Sequence, residues 1–247
     1  MSGHSKWSTI KRKKGALDAK RGKIFTKIIK EISIAAREGG PDPAGNPRLR
    51  LAIQNAKGAN MPKDNIERAI KKGSGSESTH YHDVTYEGYG PHGIAVFVEC
   101  STDNINRTVQ NIRMNFNKYG GNLGTNGSLQ FIFNRKGVFS IPAPDSFDLE
   151  ELTLELIDAG AEDVEMEENY ITVTCALEDF GKLQKKLEEL KIVAENAELQ
   201  RIPTTLVKLD DESFKRVMKL IEHLEDDDDV QKVYHNMDVT EEQMELL

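Results

Sequence analysis

The sequence predicts an α+β multidomain protein: an N-terminal three-helix bundle followed by two α+β ferredoxin-like modules, one inserted in the other. Two observations lead to this fold class. Apolar residues recur at helical spacing up to about residue 75, and beyond it short strand-like runs alternate with amphipathic helices. Charge changes at the same place: residues 1–75 hold 18 Lys and Arg against 6 Asp and Glu, a net of +12, whereas residues 76–247 hold 15 against 35, a net of −20. A basic helical module on an acidic body is therefore expected.

The first predicted helix runs from about Leu17 to Glu38 and ends at Gly39-Gly40-Pro41. Drawn at 100° per residue, its apolar residues share one arc of about 140°. They are Ile24, Phe25, Ile28, Ile29, Ile32, Ala35 and Ala36, and Ile34 is the aliphatic residue outside the arc. The opposite arc is cationic and contains Lys20, Lys23, Lys27, Lys30 and Arg37. We expect one face in a core and the other free for a polyanion.

A basic segment with the chain's only tryptophan precedes this helix. Cations neutralise phosphates, and an indole ring can stack on a base. The predicted nucleic-acid-binding residues are Lys6, Trp7, Lys11, Arg12, Lys13, Lys14, Lys20, Arg21, Lys23, Lys27 and Lys30. Other interpretations stay open: Trp7 could anchor the segment to the body, the basic run could be a solvated tail, and the whole module could dock on its own acidic body.

Two more helices complete the predicted bundle. Asn46-Pro47 is typical of a helix start, and that helix ends at Gly58. The third begins at Pro62 and ends near Gly73. The pair is compatible with a DNA-reading helix-turn-helix or with a plain antiparallel pair. The Gly- and Ser-rich run Gly73–Thr79 predicts a flexible linker, a module that reorients on the body, and a cleft that is cationic on the module side and acidic opposite.

The acidic body begins with predicted strands Val84–Tyr86 and Ile94–Cys100. The glycines between them match G-x-G-x-x-G, but a second strand follows where a dinucleotide site needs a helix, so a hairpin turn is predicted. A helix over Asn104–Tyr119 and a strand over Leu129–Phe133 come next. The Gly-rich run between them predicts a loop, because no P-loop Lys follows it. Asp226–Asp229 is expected to be a solvated turn.

A complete strand-helix-strand-strand-helix-strand series follows, which is the order of a ferredoxin-like domain. Its segments are Val138–Ile141, Leu149–Ala159, Asp163–Glu167, Tyr170–Cys175, Phe180–Leu190 and Val193–Ile202. The flanking elements are incomplete alone. The sequence therefore predicts three domains: residues 1–75, a discontinuous domain of 80–135 plus 204–247, and an inserted domain of 136–203.

Several classes of function have no support in the sequence. No apolar run reaches the ~20 residues of a membrane helix or resembles a signal peptide. Two cysteines are too few for a disulfide scaffold. The six histidines show no metal-ligand spacing, and no nucleophile motif or Walker motif is present. We therefore expect a cytoplasmic protein that is not an enzyme, with no cofactor, no metal, no small-molecule substrate and no membrane partner.

Short motifs along the whole chain resemble the YebC/PmpR family. The N-terminal ones are Gly3-His4-Ser5-Lys6-Trp7, Asp18-Ala19-Lys20-Arg21-Gly22-Lys23-Ile24-Phe25-Thr26-Lys27, Asn46-Pro47-Arg48-Leu49-Arg50-Leu51-Ala52-Ile53 and Asn60-Met61-Pro62-Lys63-Asp64-Asn65-Ile66-Glu67-Arg68-Ala69-Ile70. Those of the body are Tyr86-Glu87-Gly88-Tyr89-Gly90-Pro91, Gly120-Gly121-Asn122-Leu123-Gly124 and Asp227-Asp228-Asp229-Val230-Gln231-Lys232-Val233-Tyr234-His235-Asn236.

The resemblance implies a three-domain cytoplasmic protein of a family described as DNA-binding transcriptional regulators. The family also contains a mitochondrial translational activator, and bacterial relatives linked to ribosomes stalled on proline-rich sequence. DNA-binding transcriptional regulation is therefore the first hypothesis. The second is a translation factor bound to ribosomal RNA or the ribosome, which a basic face without an evident base-reading helix favours. An adaptor that holds a basic partner on the acidic body is the third.

Overall fold

A computed structural model describes residues 18–75, 79–143, 148–167 and 169–245. They form two compact units. The first contains the described residues up to Lys27 together with 79–134 and 202–245, and the second contains 28–75 with the described part of 135–201. The division into three domains stays a prediction. No helix in the described ranges is long and apolar enough to cross a bilayer.

The elements are numbered here in chain order. The described helices are α1 (Asp18–Gly39), α2 (Pro47–Gly58), α3 (Lys63–Ser74), α4 (Ile105–Lys118), α5 (Leu149–Asp158), α6 (Phe180–Glu189), α7 (Asp211–Glu225) and α8 (Glu241–Glu245). The described strands are β1 (His82–Tyr89), β2 (Ala95–Thr102), β3 (Asn122–Leu123), β4 (Phe133–Pro142), β5 (Ala161–Glu167), β6 (Tyr170–Ala176), β7 (Asn196–Pro203), β8 (Val207–Lys208), β9 (Val230–His235) and β10 (Met237–Asp238). Helices thus precede antiparallel sheets, as the fold class predicted.

The three N-terminal helices have nearly the predicted bounds. Asn46 caps α2, since its side-chain oxygen accepts a hydrogen bond from the Leu49 amide at 3.0 Å. Helix α3 continues to Ser74, so part of the predicted linker is helical, while residues 76–78 lie outside the described residues. Gly73 lies so close to the Ser33 backbone that a β-carbon there would overlap it. The α1–α3 contact therefore depends on that glycine.

The buried face of α1 differs from the predicted arc. Ile34, predicted to lie outside the arc, is 5% exposed, whereas Ile24 is 41% exposed and Phe25 is half-buried. The second half of α1 is contacted from two directions. The Asn46 amide donates to the Ala35 carbonyl at 2.7 Å, and the Ser33 hydroxyl donates to the Ala69 carbonyl at 3.1 Å. An apolar arc on one side of a helix predicts burial against one neighbouring element. It does not predict the contact with a second element on another side of α1.

The sheet of the first unit has the strand order β3-β1-β2-β9. Strands β1 and β2 form an antiparallel hairpin closed by a 3₁₀ turn at Pro91–Gly93, which confirms the predicted turn. Helices α4 and α7 contribute to the main core of this unit, which includes Phe116 and Phe214. Strand β9 reaches the sheet from the far end of the chain and pairs antiparallel with β2.

The predicted strand over Leu129–Phe133 is wrong. Residues 126–132 form turns, and strand β4 begins only at Phe133. The buried Glu87 carboxylate accepts hydrogen bonds from the amides of Gly127 at 2.8 Å and Leu129 at 2.6 Å. Leu129 packs with Phe97 in a second apolar cluster. The apolar residues of this segment hold a loop against the core. The spacing of apolar residues alone does not distinguish such a loop from a strand.

The sheet of the second unit has the order β5-β6-β4-β7. Helix α5 connects β4 to β5, and strand β6 lies between these two strands and pairs with both. This is the order of a split βαβ domain. Its core includes Phe139, Leu156 and Leu183. The first sheet is ordered differently, so the two α+β sheets do not share one topology.

Helix α2 packs against the open edge of this second sheet. The Asn55 side-chain amide donates to the Ala197 carbonyl at 2.9 Å and accepts from the Ala197 amide at 3.0 Å, so it pairs with β7 as a neighbouring strand would. Gln54 also donates to the Ala194 carbonyl at 3.0 Å. Helix α2 is therefore bonded to the edge of this sheet, and reorientation of the helical module on the body stays a prediction.

Candidate nucleic-acid interface

The predicted interface residues fall into three groups. Lys6, Trp7, Lys11, Arg12, Lys13 and Lys14 lie outside the described residues. Lys20 and Arg21 belong to the first turns of α1, where the description covers the backbone only. Lys23, Lys27 and Lys30 are described in full and follow one another on α1 at spacings of four and three residues. That spacing places them on one side of the helix.

Two of these lysines contact the C-terminal end of α7. The Lys23 ammonium group lies 2.5 Å from an Asp226 carboxylate oxygen, and the Lys27 ammonium group donates to the Glu225 carbonyl at 3.0 Å. A helix C-terminus carries partial negative charge, so both contacts are electrostatically favourable. Docking of the basic helix on an acidic segment, which the sequence left open, is thus observed at these two positions.

The Lys23–Asp226 pair is accessible to solvent. Its side chains are 47% and 61% exposed. Exposed ion pairs contribute about 0–1 kcal/mol and are screened by salt. A phosphate group can therefore replace Asp226 as the partner of Lys23 at little energetic cost.

The acidic turn after α7 is less solvated than predicted. The Asp229 side chain is 7% exposed, and its Oδ2 accepts from Arg107 Nη2 at 2.6 Å and from the Thr108 hydroxyl at 3.0 Å. The Asn111 amide donates to Asp227 at 2.9 Å. Hydrogen bonds to Asp229, and then to Asp103, raise the pKa of the Arg107 guanidinium. The turn is thus bonded to α4 by a polar network.

Another cation of the helical module has a structural role. The Arg48 Nε lies 2.9 Å from Glu31 Oε1, and Arg48 Nη1 lies 2.5 Å from Glu38 Oε2. These contacts join α2 to α1. Arg48 thus contributes to the charge of the module while its guanidinium is occupied within the bundle.

A cavity of about 780 Å³ lies between α2 and the segment that follows α6, within the second unit. Its apolar lining includes Phe139 and Ile192. Arg50 and Lys57 line it on the α2 side, and Glu188, Glu195 and Lys191 line it opposite. The predicted cleft polarity is thus present in part, because Lys191 adds a cation to the acidic side. Arg50 and Lys57, whose spacing of seven residues places them on one face of α2, were not among the predicted binding residues.

Helix α3 shows little capacity to read bases. Its buried face consists of Ile66, Ala69 and Gly73. The Arg68 guanidinium donates to the Asn65 side chain at 2.6 Å and to the Asp64 carbonyl at 3.1 Å. Lys71 and Lys72 are exposed in the last turn. This arrangement suits phosphate contacts better than base contacts.

Comparison with known proteins decides the family. Residues 5–76 match the family model described as the TACO1/YebC protein N-terminal domain, and residues 81–237 match the one described as the TACO1/YebC second and third domain. The chain belongs to the TACO1/YebC family. Its relatives in that family include a "Probable transcriptional regulatory protein" of Amoebophilus asiaticus, 57% identical over 96% of this chain and 98% of that protein. A protein of the same name from Geotalea uraniireducens is 54% identical over the full length of both.

A solved structure is also similar to this TACO1/YebC chain. It is the crystal structure of a conserved hypothetical protein, Aq1575, from Aquifex aeolicus. The two share 45% sequence identity with a TM-score of 0.79, over 91% of this chain and 93% of that one. Within the ranges described here, no group of three or more His, Cys, Asp or Glu side chains is placed to hold a metal ion.

Proposed function

We propose that this protein is a cytoplasmic nucleic-acid-binding regulator of gene expression, acting in transcription by binding DNA. The observation that carries the proposal is the charge division, +12 on residues 1–75 and −20 on the remainder. The names of its relatives, probable transcriptional regulatory proteins, support the transcriptional form. An acidic body repels a phosphate backbone, so the nucleic acid is approached through the N-terminal module.

The basic segment before α1 and the cationic side of α1 form the binding surface in this proposal. Lys23 and Lys27 are held near the end of α7 in the free protein. On binding, Lys23 exchanges Asp226 for a phosphate group, and the carboxylate is released to water. The cations upstream of α1 provide the larger part of the affinity, because this exchange makes the net contribution of Lys23 small.

RNA is the second candidate ligand, favoured by helix α3. Arg68 is bonded within its own helix, Lys63 lies 3.4 Å from Glu67 of the same helix, and Lys71 and Lys72 are at the C-terminal end. A surface that contacts backbone phosphates without reading bases suits the shape of ribosomal RNA as well as duplex DNA. In this form the protein regulates translation at the ribosome.

We also propose that the protein acts by binding and not by catalysis. Both cysteines are buried. Burial, and then the nearby carboxylates of Asp179 and Glu162, raise the pKa of the Cys175 thiol to about 11. At neutral pH that thiol is protonated and therefore a poor nucleophile.

Fluorescence anisotropy with labelled duplex DNA and labelled ribosomal RNA tests the proposed function. The full-length variant Lys11→Gln, Arg12→Gln, Lys13→Gln, Lys14→Gln should bind at least about tenfold more weakly at about 0.1 M salt, because four phosphate contacts are lost. The matched control replaces four cations of the body, Lys182, Lys185, Lys215 and Lys219, by Gln. Equal affinity of the two variants would contradict the proposal. The ligand that wild type prefers decides between DNA and RNA.

A further inference from the structure

The outward face of helix α5 exposes aliphatic side chains. Leu154 is 65% exposed and Ile157 is 50% exposed. They are three residues apart and lie on the same side of the helix, opposite the buried Leu152 and Leu156. On the adjacent edge strand β5, Met166 is 45% exposed. An aliphatic ridge of this kind matches the groove of a second helix.

The chain segment that contains this ridge is strongly acidic. Residues 137–181 contain 13 Asp and Glu and no Lys, Arg or His. Glu150, Glu151 and Asp158 are exposed on α5 itself. Among the described residues, lysines from outside this stretch pair with three of its acids: Lys186 with Glu155 at 2.7 Å, Lys136 with Glu162 at 2.6 Å and Lys182 with Asp179 at 2.6 Å. The face of α5 therefore combines apolar contact area with a negative potential.

These properties distinguish between classes of partner. A nucleic acid is repelled by the carboxylates and gains nothing from an aliphatic ridge. A helix with leucine-like side chains on one face and Lys or Arg beside them would cover Leu154 and Ile157 and place its cations near the carboxylates. We propose that the α5 face of this protein docks a basic amphipathic helix of a partner protein. Its residues differ from the proposed nucleic-acid-binding residues, and docking does not depend on nucleic-acid binding.

The probe for this site is a synthetic amphipathic peptide of leucine and lysine, titrated into the full-length protein. The double variant Leu154→Ser, Ile157→Ser should weaken peptide binding about tenfold, because two aliphatic contacts are lost. The matched control is Met114→Ser, which changes a side chain that is 59% exposed on α4. It should bind as wild type does. Circular dichroism establishes that each variant is folded.

Two further measurements locate the binding. Amide chemical shifts should change on α5 and β5 when the leucine-lysine peptide is added. A scrambled peptide of the same composition and a leucine-glutamate peptide should bind more weakly. Equal affinity of wild type and the double variant, shift changes confined to other surfaces, or displacement of the peptide from α5 by an RNA oligonucleotide would overturn the proposal.

Discussion

Arg107→Met should lower the free energy of unfolding by about 3 kcal/mol, because it leaves the Asp229 carboxylate buried without its cation. This is the lower end of the cost of breaking a buried ion pair, since the Arg107 side chain is itself 47% exposed. Urea unfolding at pH 7 measures the change. Arg113→Met is the matched control, since Arg113 is exposed on the same helix, and it should cost less than about 0.5 kcal/mol.

The same variant should show a changed dependence of stability on pH. Burial disfavours the charged form of a carboxyl group, and this variant removes the cation that offsets the effect at Asp229. Protonation then favours the folded state, so the deficit relative to wild type should narrow as the pH falls from 7 toward the unfolded pKa of about 4. A deficit that stays constant or widens over this range would show that the Arg107–Asp229 contact is not the cause.

Gly58→Ala should destabilise the protein by about 3 kcal/mol, the upper part of the usual range for an added buried methyl group. A β-carbon at this position would overlap the Glu195 carbonyl oxygen, so α2 must move away from the edge of the second sheet. The Asn55–Ala197 hydrogen bonds would lengthen as a consequence. Thermal unfolding followed by circular dichroism measures the loss.

Gly22→Ala is the control for this substitution. Apart from its chain neighbours and the adjacent backbone of α1, in which it lies, a β-carbon at Gly22 meets no atom of the described residues within 4 Å. Alanine is a better helix former than glycine by up to about 1 kcal/mol, so this variant should be neutral or more stable. If both glycine variants behave alike, the contact between α2 and Glu195 does not determine the result.

Local signals predicted most helices and the split βαβ order correctly. The cap at Asn46 and the glycines at the C-terminal ends of α1 and α2 mark helix bounds through backbone chemistry, which can be recognised from neighbouring residues. Phe25 and Ile34 were misassigned because burial depends on which elements pack on each side of α1. That information is not contained in the helical period of a single segment.

Long-range polar contacts had no signal in the sequence. In the sequence, Asn55 has the features of an ordinary helix residue, yet its side-chain amide pairs with a strand 142 residues away. Glu87 follows the predicted strand Val84–Tyr86, yet it is buried and bonded to the loop before β4. Lys23 was predicted to face a nucleic acid, and its bond to Asp226 spans 203 residues. Such contacts can be predicted only when the positions of all the helices and strands are known.

The salt dependence of nucleic-acid binding by the full-length protein tests the central claim most directly. If the basic N-terminal module neutralises phosphates, log K should fall linearly with log salt concentration, with a slope of about −0.9 for each phosphate on duplex DNA. At that value, the loss of four contacts should make the slope shallower by about 3.6 in the variant that lacks the charges of Lys11, Arg12, Lys13 and Lys14. A wild-type slope near zero, or the same slope for both proteins, would contradict recognition through this module.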